Sequence, residues 1–224
     1  MKVLLACEES QAVTKEFRKL GHEAFSCDIE PCSGDHPEWH IKYDALEIMN
    51  GDCMFDTTLN ELTTISGDWD MVIAFPPCTY ICGSGWFRSV KDPERMKKSI
   101  KAIEFAKKLW SCSAKKICIE NSIGKLSTVM EKPTQYIQPY DFGNDASKKT
   151  CLWLKNLPPL IVNKDDYIKP RIVITNGKEY KRWGNQTDSG QNRLGPSPDR
   201  GKIRSKTYTG IAKAMAEQWG GVAI

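Results

Sequence analysis

Residues 69–82 of the chain read Trp-Asp-Met-Val-Ile-Ala-Phe-Pro-Pro-Cys-Thr-Tyr-Ile-Cys. The apolar run that begins at Met71 predicts a short buried strand, and Pro76 and Pro77 end it because proline cannot donate to a sheet ladder. Cys78 follows at once, at the place where open α/β sheets bind their ligands. The prolines restrict the backbone just before it, so we interpret Cys78 as a nucleophile with a fixed direction.

The first thirty residues predict a strand-helix-strand unit. Residues 3–7 are an apolar strand candidate, residues 12–20 place apolar side chains on one helical face, and residues 24–27 form a second strand that ends at Asp28. An acid in this position takes the ribose hydroxyls of a nucleoside cofactor. The first turn lacks G-x-G-x-x-G, so a cofactor without a pyrophosphate fits better, and S-adenosylmethionine is the commonest of these. Acids at strand ends are also frequent on plain surfaces, and the pattern alone leaves both interpretations open.

A second polar strand end follows later in the chain. Residues 116–121 predict a strand that finishes in Glu120 and Asn121. One crossover helix separates it from Cys78, so both side chains are expected at the same edge of the sheet. A thiolate can add to an electron-poor ring carbon while a carboxyl group bonds or protonates a ring nitrogen.

The segments around these strands give weaker patterns. The glycine-rich and aromatic stretch 82–88 predicts a mobile loop that closes over a substrate, although an ordinary linker has the same composition. Residues 93–110 predict a long helix, started by Asp92, and residues 60–67 a connector. The apolar stripe of that helix is expected at Met96, Ile100, Ile103, Phe105, Ala106, Leu109 and Trp110.

Composition limits the class of protein. The 224 residues, 40% of them hydrophobic, suit one domain with a small appendage. No apolar stretch approaches the ~20 residues of a membrane helix. The nine cysteines show no disulfide-scaffold spacing and no export signal precedes them, which predicts reduced thiols in a cytoplasm.

Charge is distributed unevenly. The net charge is +4, but residues 151–206 hold twelve Lys and Arg against five Asp and Glu, a local charge of +7. This window predicts a surface that faces a polyanion, or else a plain solvated face. Cys27, Cys32, His36 and His40 are spaced as zinc ligands can be, but they lack the tight C-x-x-C pair of structural sites. A structured loop without metal is the better interpretation.

Three motifs in order carry a family resemblance: Phe-Pro-Pro-Cys at 75–78, Glu-Asn at 120–121 and Asp-Phe-Gly at 141–143. Together they resemble the C5-cytosine DNA methyltransferase family, in the compact form of bacteriophage and prophage sequences. The resemblance implies a doubly wound, mostly parallel α/β sheet of the Rossmann-like class I S-adenosylmethionine-dependent methyltransferases. Residues 1–155 and 205–224 would form the catalytic domain, and residues 156–204 a small basic target-recognition-like segment.

The resemblance also implies a reaction. The chain would transfer a methyl group from S-adenosylmethionine to C5 of a cytosine flipped out of double-stranded DNA, through a covalent adduct between Cys78 and C6. Glu120 would hold N3 and the exocyclic amine. The family's Gln-x-Arg-x-Arg element is replaced by Ser-Lys-Lys-Thr at 147–150, so Lys149 would be the catalytic cation. No metal and no membrane are implied, and the cytoplasm of a bacterium or phage-infected host is the expected location.

The remaining site residues are also implied by the resemblance. Asp28 matches the ribose acid and Asp44 the acid at the adenine edge. The implied cofactor contacts are Ala6, Glu8, Ser10, Gln11, Asp28, Ile29, Asp44, Phe75, Pro76, Thr207 and Tyr208. The implied DNA or substrate contacts are Trp86, Arg88, Lys148, Arg171, Lys181, Arg182, Arg193, Arg200 and Arg204. A late helix should pack Ile211, Met215 and Trp219 on the domain.

Two other functions stay open at this stage. The short recognition segment makes the same chemistry on a free pyrimidine nucleotide or on RNA conceivable. Residues 7–11 read Cys-Glu-Glu-Ser-Gln, where the family usually has a glycine-rich sequence with a stacking aromatic residue. This departure and the one at 147–150 favour a catalytically silent relative that binds DNA or a protein, whereas the presence of Cys78 and Glu120 counts against it. A redox pair of Cys78 and Cys82 is weaker, because C-x-x-x-C is not the usual redox spacing.

Overall fold

The computed structural model describes residues 1–221 as one α/β arrangement with two added hairpins. The first elements are β1 (Lys2–Ala6), α1 (Ala12–Lys19), β2 (Glu23–Cys27), β3 (His40–Ile41), α2 (Ala45–Ile48), β4 (Cys53–Asp56), β5 (Leu62–Ile65) and β6 (Met71–Ala74). They are followed by α3 (Gly83–Lys91), α4 (Pro93–Trp110), β7 (Lys116–Ser122), α5 (Leu126–Val129), β8 (Gln135–Ile137) and β9 (Thr150–Lys155). The last are β10 (Arg171–Thr175), β11 (Lys178–Arg182), α6 (Arg200–Ser205) and α7 (Thr209–Met215), which continues as a π-helical turn over Ala216–Gly220. Short 3-10 turns lie at Pro37–Trp39, Pro139–Phe142 and Lys164–Asp166.

The central sheet has seven strands in the order β3-β2-β1-β6-β7-β9-β8. The pairs from β3 to β7 are all parallel, and only β9 runs antiparallel to both of its neighbours. The strand order reverses between β1 and β6, which places a ligand crevice at the carboxyl ends of these two strands. The predicted doubly wound, mostly parallel sheet is confirmed.

Two apolar clusters cover the two faces of the sheet. Alternate residues of each strand point to opposite faces, so Leu4 and Val72 belong to one cluster while Val3 and Met71 belong to the other. The first cluster includes residues of α4, and the second includes residues of α1 and α7. Every residue of β6 is fully buried, as the apolar run predicted.

The late helix packs as expected. Ile211, Met215 and Trp219 are buried in the second cluster, and the Trp219 indole N–H donates to the Pro158 carbonyl oxygen at 2.9 Å. The predicted helix at 93–110 is also confirmed, and the Asp92 carboxylate accepts hydrogen bonds at its first turn. Within residues 1–221, no helix has the length and apolar character needed to cross a membrane.

Three local predictions were wrong. The stretch 82–88 lies mostly in α3 rather than in an irregular loop, because the Ser99 hydroxyl of α4 donates to the buried Ser89 hydroxyl at 2.9 Å and fixes the helix. The connector 60–67 contains β5, which pairs with β4 in an antiparallel hairpin. Ile100 is 48% exposed, and Ser99 takes the buried position that the apolar stripe assigned to its neighbour.

We expect Gly210 to be required for the packing of α7. A Cβ atom at this position would overlap the backbone carbonyl oxygen of Phe142. Gly210→Ala should therefore lower the free energy of unfolding by about 3 kcal/mol, measured by chemical denaturation. Gly201→Ala in α6 is the matched control, since no described atom lies within 4 Å of its Cβ position, and it should be neutral or slightly stabilising. Equal stability of the Gly210→Ala variant and the native chain would contradict this packing.

Candidate active site at the carboxyl edge of the sheet

Cys78 lies four residues beyond the last residue of β6, in a short turn that leads into α3. Its backbone carbonyl oxygen accepts hydrogen bonds from the N–H groups of Ile81 at 3.1 Å and Cys82 at 2.9 Å. The residue is exposed at the surface. The thiol is thus accessible, while the backbone that carries it is folded into a defined turn.

The end of β7 holds the prolines that precede this turn. The buried Asn121 side chain donates from Nδ2 to the Pro76 carbonyl oxygen at 2.6 Å. Two backbone hydrogen bonds continue the contact, from Gly83 N to Ile123 O at 2.9 Å and from Lys125 N to Ile81 O at 2.8 Å. The chain after β7 therefore binds the chain after β6 on both sides of Cys78.

The N-terminal part of α4 supports the same turn. The Arg95 guanidinium donates to the Thr79 carbonyl oxygen at 2.8 Å, and the Ser99 hydroxyl donates to the Tyr80 carbonyl oxygen at 2.8 Å. The Arg95 guanidinium also lies 4.8 Å from the centroid of the Tyr80 ring. These contacts restrict the two residues directly after Cys78.

Glu120 reaches the same edge from β7. Ile119 pairs with Ala74 in the parallel register, so Glu120 stands one step beyond the end of β6. Burial raises the pKa of the Glu120 carboxyl group above its ordinary value, while the Lys148 charge and a hydrogen bond from the Thr150 side chain act in the opposite direction. A carboxyl group in this setting keeps its proton more readily than an exposed one.

The thiol of Cys78 responds to the same neighbours. Burial is the largest cause and raises its pKa above the ordinary value, although the residue as a whole is exposed. The Ser122 hydroxyl and the Lys148 charge lower that pKa, and the Glu120 charge raises it. Cys78, Glu120 and Lys148 therefore form one electrostatic group, as expected for residues that share a cleft.

The two adjacent lysines separate in space. Lys148 acts on both Cys78 and Glu120, and its ammonium donates to the Arg204 carbonyl oxygen at 3.1 Å. Lys149 instead lies with its ammonium 4.6 Å from the centroid of the Tyr136 ring of β8. Successive residues of an extended segment point to opposite sides. Lys148 is therefore the lysine whose charge acts on Cys78 and Glu120, and the catalytic role that the resemblance implied for Lys149 stays a prediction.

Glu8 occupies the N-terminus of α1. Its two carboxylate oxygens accept hydrogen bonds from Val13 N at 2.6 Å, Thr14 N at 3.1 Å and the Thr14 hydroxyl at 2.7 Å. Burial outweighs these bonds and raises the pKa of Glu8 to about 7. The carboxylate thus satisfies N–H groups that an anionic ligand would otherwise take.

Gln11 is fully buried and acts within the scaffold. Its amide nitrogen donates to the His36 carbonyl oxygen at 2.6 Å and to the Ser26 hydroxyl at 3.2 Å, and its oxygen accepts from His36 N at 3.1 Å. Ser10 and Ala6 are buried beside it in sequence. Gln11 therefore holds the loop between β2 and β3 rather than presenting a free polar group.

Asp28 and Asp44 border one place at the end of β1. Both carboxylates, together with burial as the largest cause, raise the pKa of the Cys7 thiol. The Asp28 carboxylate accepts from Glu30 N at 3.0 Å, and the Asp44 carboxylate accepts from Leu46 N at 2.9 Å. The two acids are thus presented by the loops after β2 and β3, and the position of Asp28 after the second strand agrees with the sequence pattern.

The other implied cofactor contacts lie at the ends of β1 and β6, in the loop after β2 and just before α7. Phe75 N donates to the Ala6 carbonyl oxygen at 2.9 Å, which joins the ends of β6 and β1. Ile29 is 69% exposed next to Asp28. Tyr208 and Phe75 pack against the same apolar cluster, and Thr207 precedes Tyr208 at the start of α7.

Most arginines assigned to DNA by the resemblance fold their own segment. Arg171 bonds Asp188 and the Gln186 carbonyl oxygen, and that oxygen also accepts from Arg193 at 2.9 Å. Arg182 and Arg200 donate to the backbone oxygens of Asp188 and Leu194, at 3.1 and 3.0 Å. Lys181 and Arg204 are exposed. Trp86 faces the Lys125 ammonium at 5.2 Å, and the Arg88 guanidinium lies 5.6 Å from the Phe87 ring.

The four Cys and His residues with zinc-like spacing serve other contacts. His36 stacks on Trp39 with ring centroids 3.7 Å apart, and His40 bonds the Ser26 hydroxyl and the Glu30 carbonyl oxygen. Among residues 1–221, no three His, Cys, Asp or Glu side chains are grouped so that they could hold a metal.

Sequence reasoning missed the residues that support the site. Ser122 of β7 and Thr150 of β9, which face each other in the sheet, lower the pKa values of Cys78 and Glu120, and Arg95 holds the turn from α4. Asn121 was visible as a polar residue at a strand end, but its partner Pro76 was not. Only Asn121 carried a signal in the sequence, since the other contacts join residues far apart along the chain.

Comparison with known proteins finds no sequence match and a distant structural similarity. No protein-family model and no curated protein matches the chain. Among solved structures, the chain is similar to one described as a "putative DNA modification methyltransferase encoded within prophage" of E. coli, with 12% identity and a TM-score of 0.38. The match covers 69% of this chain and 46% of that one, so this chain spans less than half of its length. A likeness this distant does not bear on the chemistry of the site.

The raised pKa of Glu8 should make stability depend on pH. The folded-state pKa of about 7 lies above the ordinary value of 4.5, so folding disfavours the charged form. This penalty is absent below pH 4.5, grows as pH rises, and is complete above pH 7, where it reaches roughly 3 kcal/mol. The free energy of unfolding is measured by denaturation for the native chain and for Glu8→Gln, at pH 5 and at pH 8. The difference between the two chains isolates the contribution of Glu8, because all other titratable groups are common to both. A difference between the two chains that is the same at both pH values would contradict this role.

Lys148 should set the reactivity of Cys78. Lys148→Met removes a positive charge that lowers the pKa of the Cys78 thiol, so alkylation of Cys78 by iodoacetamide at pH 8 should slow several-fold. Lys149→Met is the matched control and should leave the rate unchanged. Peptide mass spectrometry follows Cys78 separately from the other eight cysteines. Equal slowing in both variants would show that the two lysines do not differ.

Proposed function

We propose that this chain is an S-adenosylmethionine-dependent DNA methyltransferase that acts at C5 of cytosine through a covalent adduct with Cys78. The observation that carries the proposal is the meeting of Cys78, Glu120 and Lys148 at the carboxyl edge of a doubly wound sheet. A nucleophile, a carboxyl group and a cation in one cleft suit addition to an electron-poor ring.

The properties of these groups fit the steps of that reaction. The Cys78 thiolate adds to C6 of cytosine, while the Glu120 carboxyl group, whose pKa burial raises, donates a proton to N3 and takes up the developing charge of the ring. The Lys148 charge and the Ser122 hydroxyl favour the thiolate against the effect of burial. After C5 is methylated, loss of its proton and of the Cys78 sulfur restores the aromatic ring. The contacts of Asn121 and Arg95 keep the thiol in place throughout.

The cofactor crevice favours a nucleoside without phosphates. Asp28 and Asp44 stand where ribose hydroxyls and an adenine amine would be bound, and Ile29 offers an exposed apolar side chain beside them. Glu8 already holds the N–H groups of Val13 and Thr14, so a pyrophosphate would meet a carboxylate there. When bound, S-adenosylmethionine supplies an electrophilic methyl group. Its positive sulfonium is compatible with this acidic surround.

Double-stranded DNA fits as the substrate. The window of residues 151–206 carries a net charge of +7 and is joined to the site, because the Lys148 ammonium bonds the Arg204 carbonyl oxygen. A cytosine inside a duplex cannot reach a thiol in a cleft, so it must be flipped out of the stack. The same reaction on a free pyrimidine nucleotide or on RNA would not require a basic surface that binds duplex DNA.

The test is transfer of labelled methyl from S-adenosylmethionine to mixed-sequence duplex DNA, followed by nucleoside analysis. Label is expected in 5-methylcytosine and should disappear with Cys78→Ala, whereas the matched variant Cys82→Ala should retain most of the rate. Glu120→Gln keeps the shape but removes the acid, and should lower the rate by roughly 100-fold. Cofactor binding should persist in all three variants.

Other outcomes identify the alternatives. Label on RNA or on a pyrimidine nucleotide, but not on DNA, would identify that molecule as the substrate. Full activity of Cys78→Ala would exclude the covalent mechanism. Absence of cofactor binding to the native chain would favour a catalytically silent DNA-binding relative.

A further inference from the structure

The antiparallel hairpin of β10 and β11, residues 171–182, forms an arm that extends from the molecule. Its turn is Asn176-Gly177, and both residues have positive φ, 51° and 69°, as two-residue hairpin turns require. Residues 174–181 are all exposed, although they include both faces of the ribbon. At about 3.4 Å per residue, each five-residue strand spans roughly 17 Å.

The base of the arm is fixed even though its tip is exposed. Arg171 and Arg182 face each other across the base of the ribbon, and both donate to Asp188. Arg171 bonds the Asp188 carboxylate, and Arg182 bonds its backbone oxygen. The next residue, Trp183, is buried and stacks on Tyr140 with ring centroids 4.0 Å apart. The direction of the arm is therefore defined by the body of the protein.

The same base is bonded to the loop that carries Lys148. Gly184 N donates to the Asp145 carboxylate at 2.7 Å, and Asn185 exchanges hydrogen bonds with the Ser147 backbone at 2.9 and 3.0 Å. Lys148 follows directly and acts on Cys78 and Glu120. The arm and the proposed catalytic cleft thus share one support.

One face of the arm carries two exposed isoleucines beside Lys181 and Glu179, and the arm as a whole is basic. Ile172 pairs with Lys181 and Ile174 pairs with Glu179, so the two isoleucines lie on one face, 52% and 69% exposed. Residues 169–182 hold five Lys and Arg against one Glu, a net charge of +4. Exposed isoleucines on a positive ribbon suit a partner that is anionic outside and has apolar groups within reach.

We propose that the arm enters the major groove of duplex DNA beside the target cytosine, and that Ile172 and Ile174 recognise thymine through its C5 methyl group. The inference rests on the proposed function for its substrate. The major groove is about 12 Å wide and admits a two-stranded ribbon, and the thymine methyl is the apolar group that base pairs present there. Lys181, opposite Ile172, lies where it can reach a phosphate of the groove wall. The chain therefore prefers A·T pairs next to its target.

The test compares two duplexes that differ only in thymine methyl groups. One contains thymine and the other contains deoxyuridine at every thymine position, with cytosines unchanged. The native chain should bind the thymine duplex more tightly, by about fourfold for each methyl group contacted, the effect of burying one such group. The double variant Ile172→Ala/Ile174→Ala should bind both duplexes equally. Ile161→Ala, which removes a 77% exposed isoleucine outside the arm, should keep the preference.

Measuring binding and methyl transfer on both duplexes separates the two proposals. Methyl transfer by the native chain with no preference for thymine would overturn the role of the arm and leave the function intact. A thymine preference in binding that the double variant loses would support the arm even if no methyl were transferred. Equal binding of both duplexes by the native chain would overturn the inference and direct attention to an acidic protein partner instead.

Discussion

The hydrogen bond from the buried Asn121 side chain to the Pro76 carbonyl oxygen, 2.6 Å long, is the contact on which the site depends. Proline removes backbone donors and ends β6, so the chain beyond it has no ladder to follow. Asn121 supplies the missing attachment from the neighbouring strand. The backbone bonds of Gly83 and Lys125 extend that attachment past Cys78. Cys78 is therefore held by β7, the strand that also carries Glu120, and the separation of the two residues is set by sheet geometry rather than by a flexible loop.

The turn between β1 and α1 is stabilised by the buried carboxylate of Glu8. The N-terminus of α1 has N–H groups without helical partners, and a dinucleotide fold would offer them to phosphates. Here the Glu8 carboxylate binds them and is buried, at the cost of a pKa raised to about 7. With Asp28 and Asp44 at the neighbouring strand ends, the crevice is rich in carboxylates. A surface of this kind repels anions and attracts cations.

Most arginines of the basic segment 151–206 stabilise the segment itself rather than presenting all of their N–H groups to a partner. Arg171, Arg182, Arg193 and Arg200 donate to oxygens of their own segment, which has few apolar residues with which to build a core. They contribute to the electrostatic field but have part of their hydrogen-bonding capacity in use. The arm exposes Ile172 and residues 174–181, which include Ile174 and Lys181. In so short a segment, arginines hold the fold while lysine and isoleucine side chains stay exposed to solvent.

The sequence predicted strands β1, β2, β6 and β7, the long helix at 93–110 and a shared sheet edge for Cys78 and Glu120, because apolar periodicity records burial and parallel strands bring their carboxyl ends to one edge. It did not determine which of Lys148 and Lys149 faces the cleft, since neighbouring residues in an extended segment point opposite ways. Nor did it show that 82–88 is helical, because the Ser89 and Ser99 contact joins two elements. These features are visible in the tertiary structure alone, because each depends on a contact with a residue that lies elsewhere in the chain and that the local sequence does not indicate.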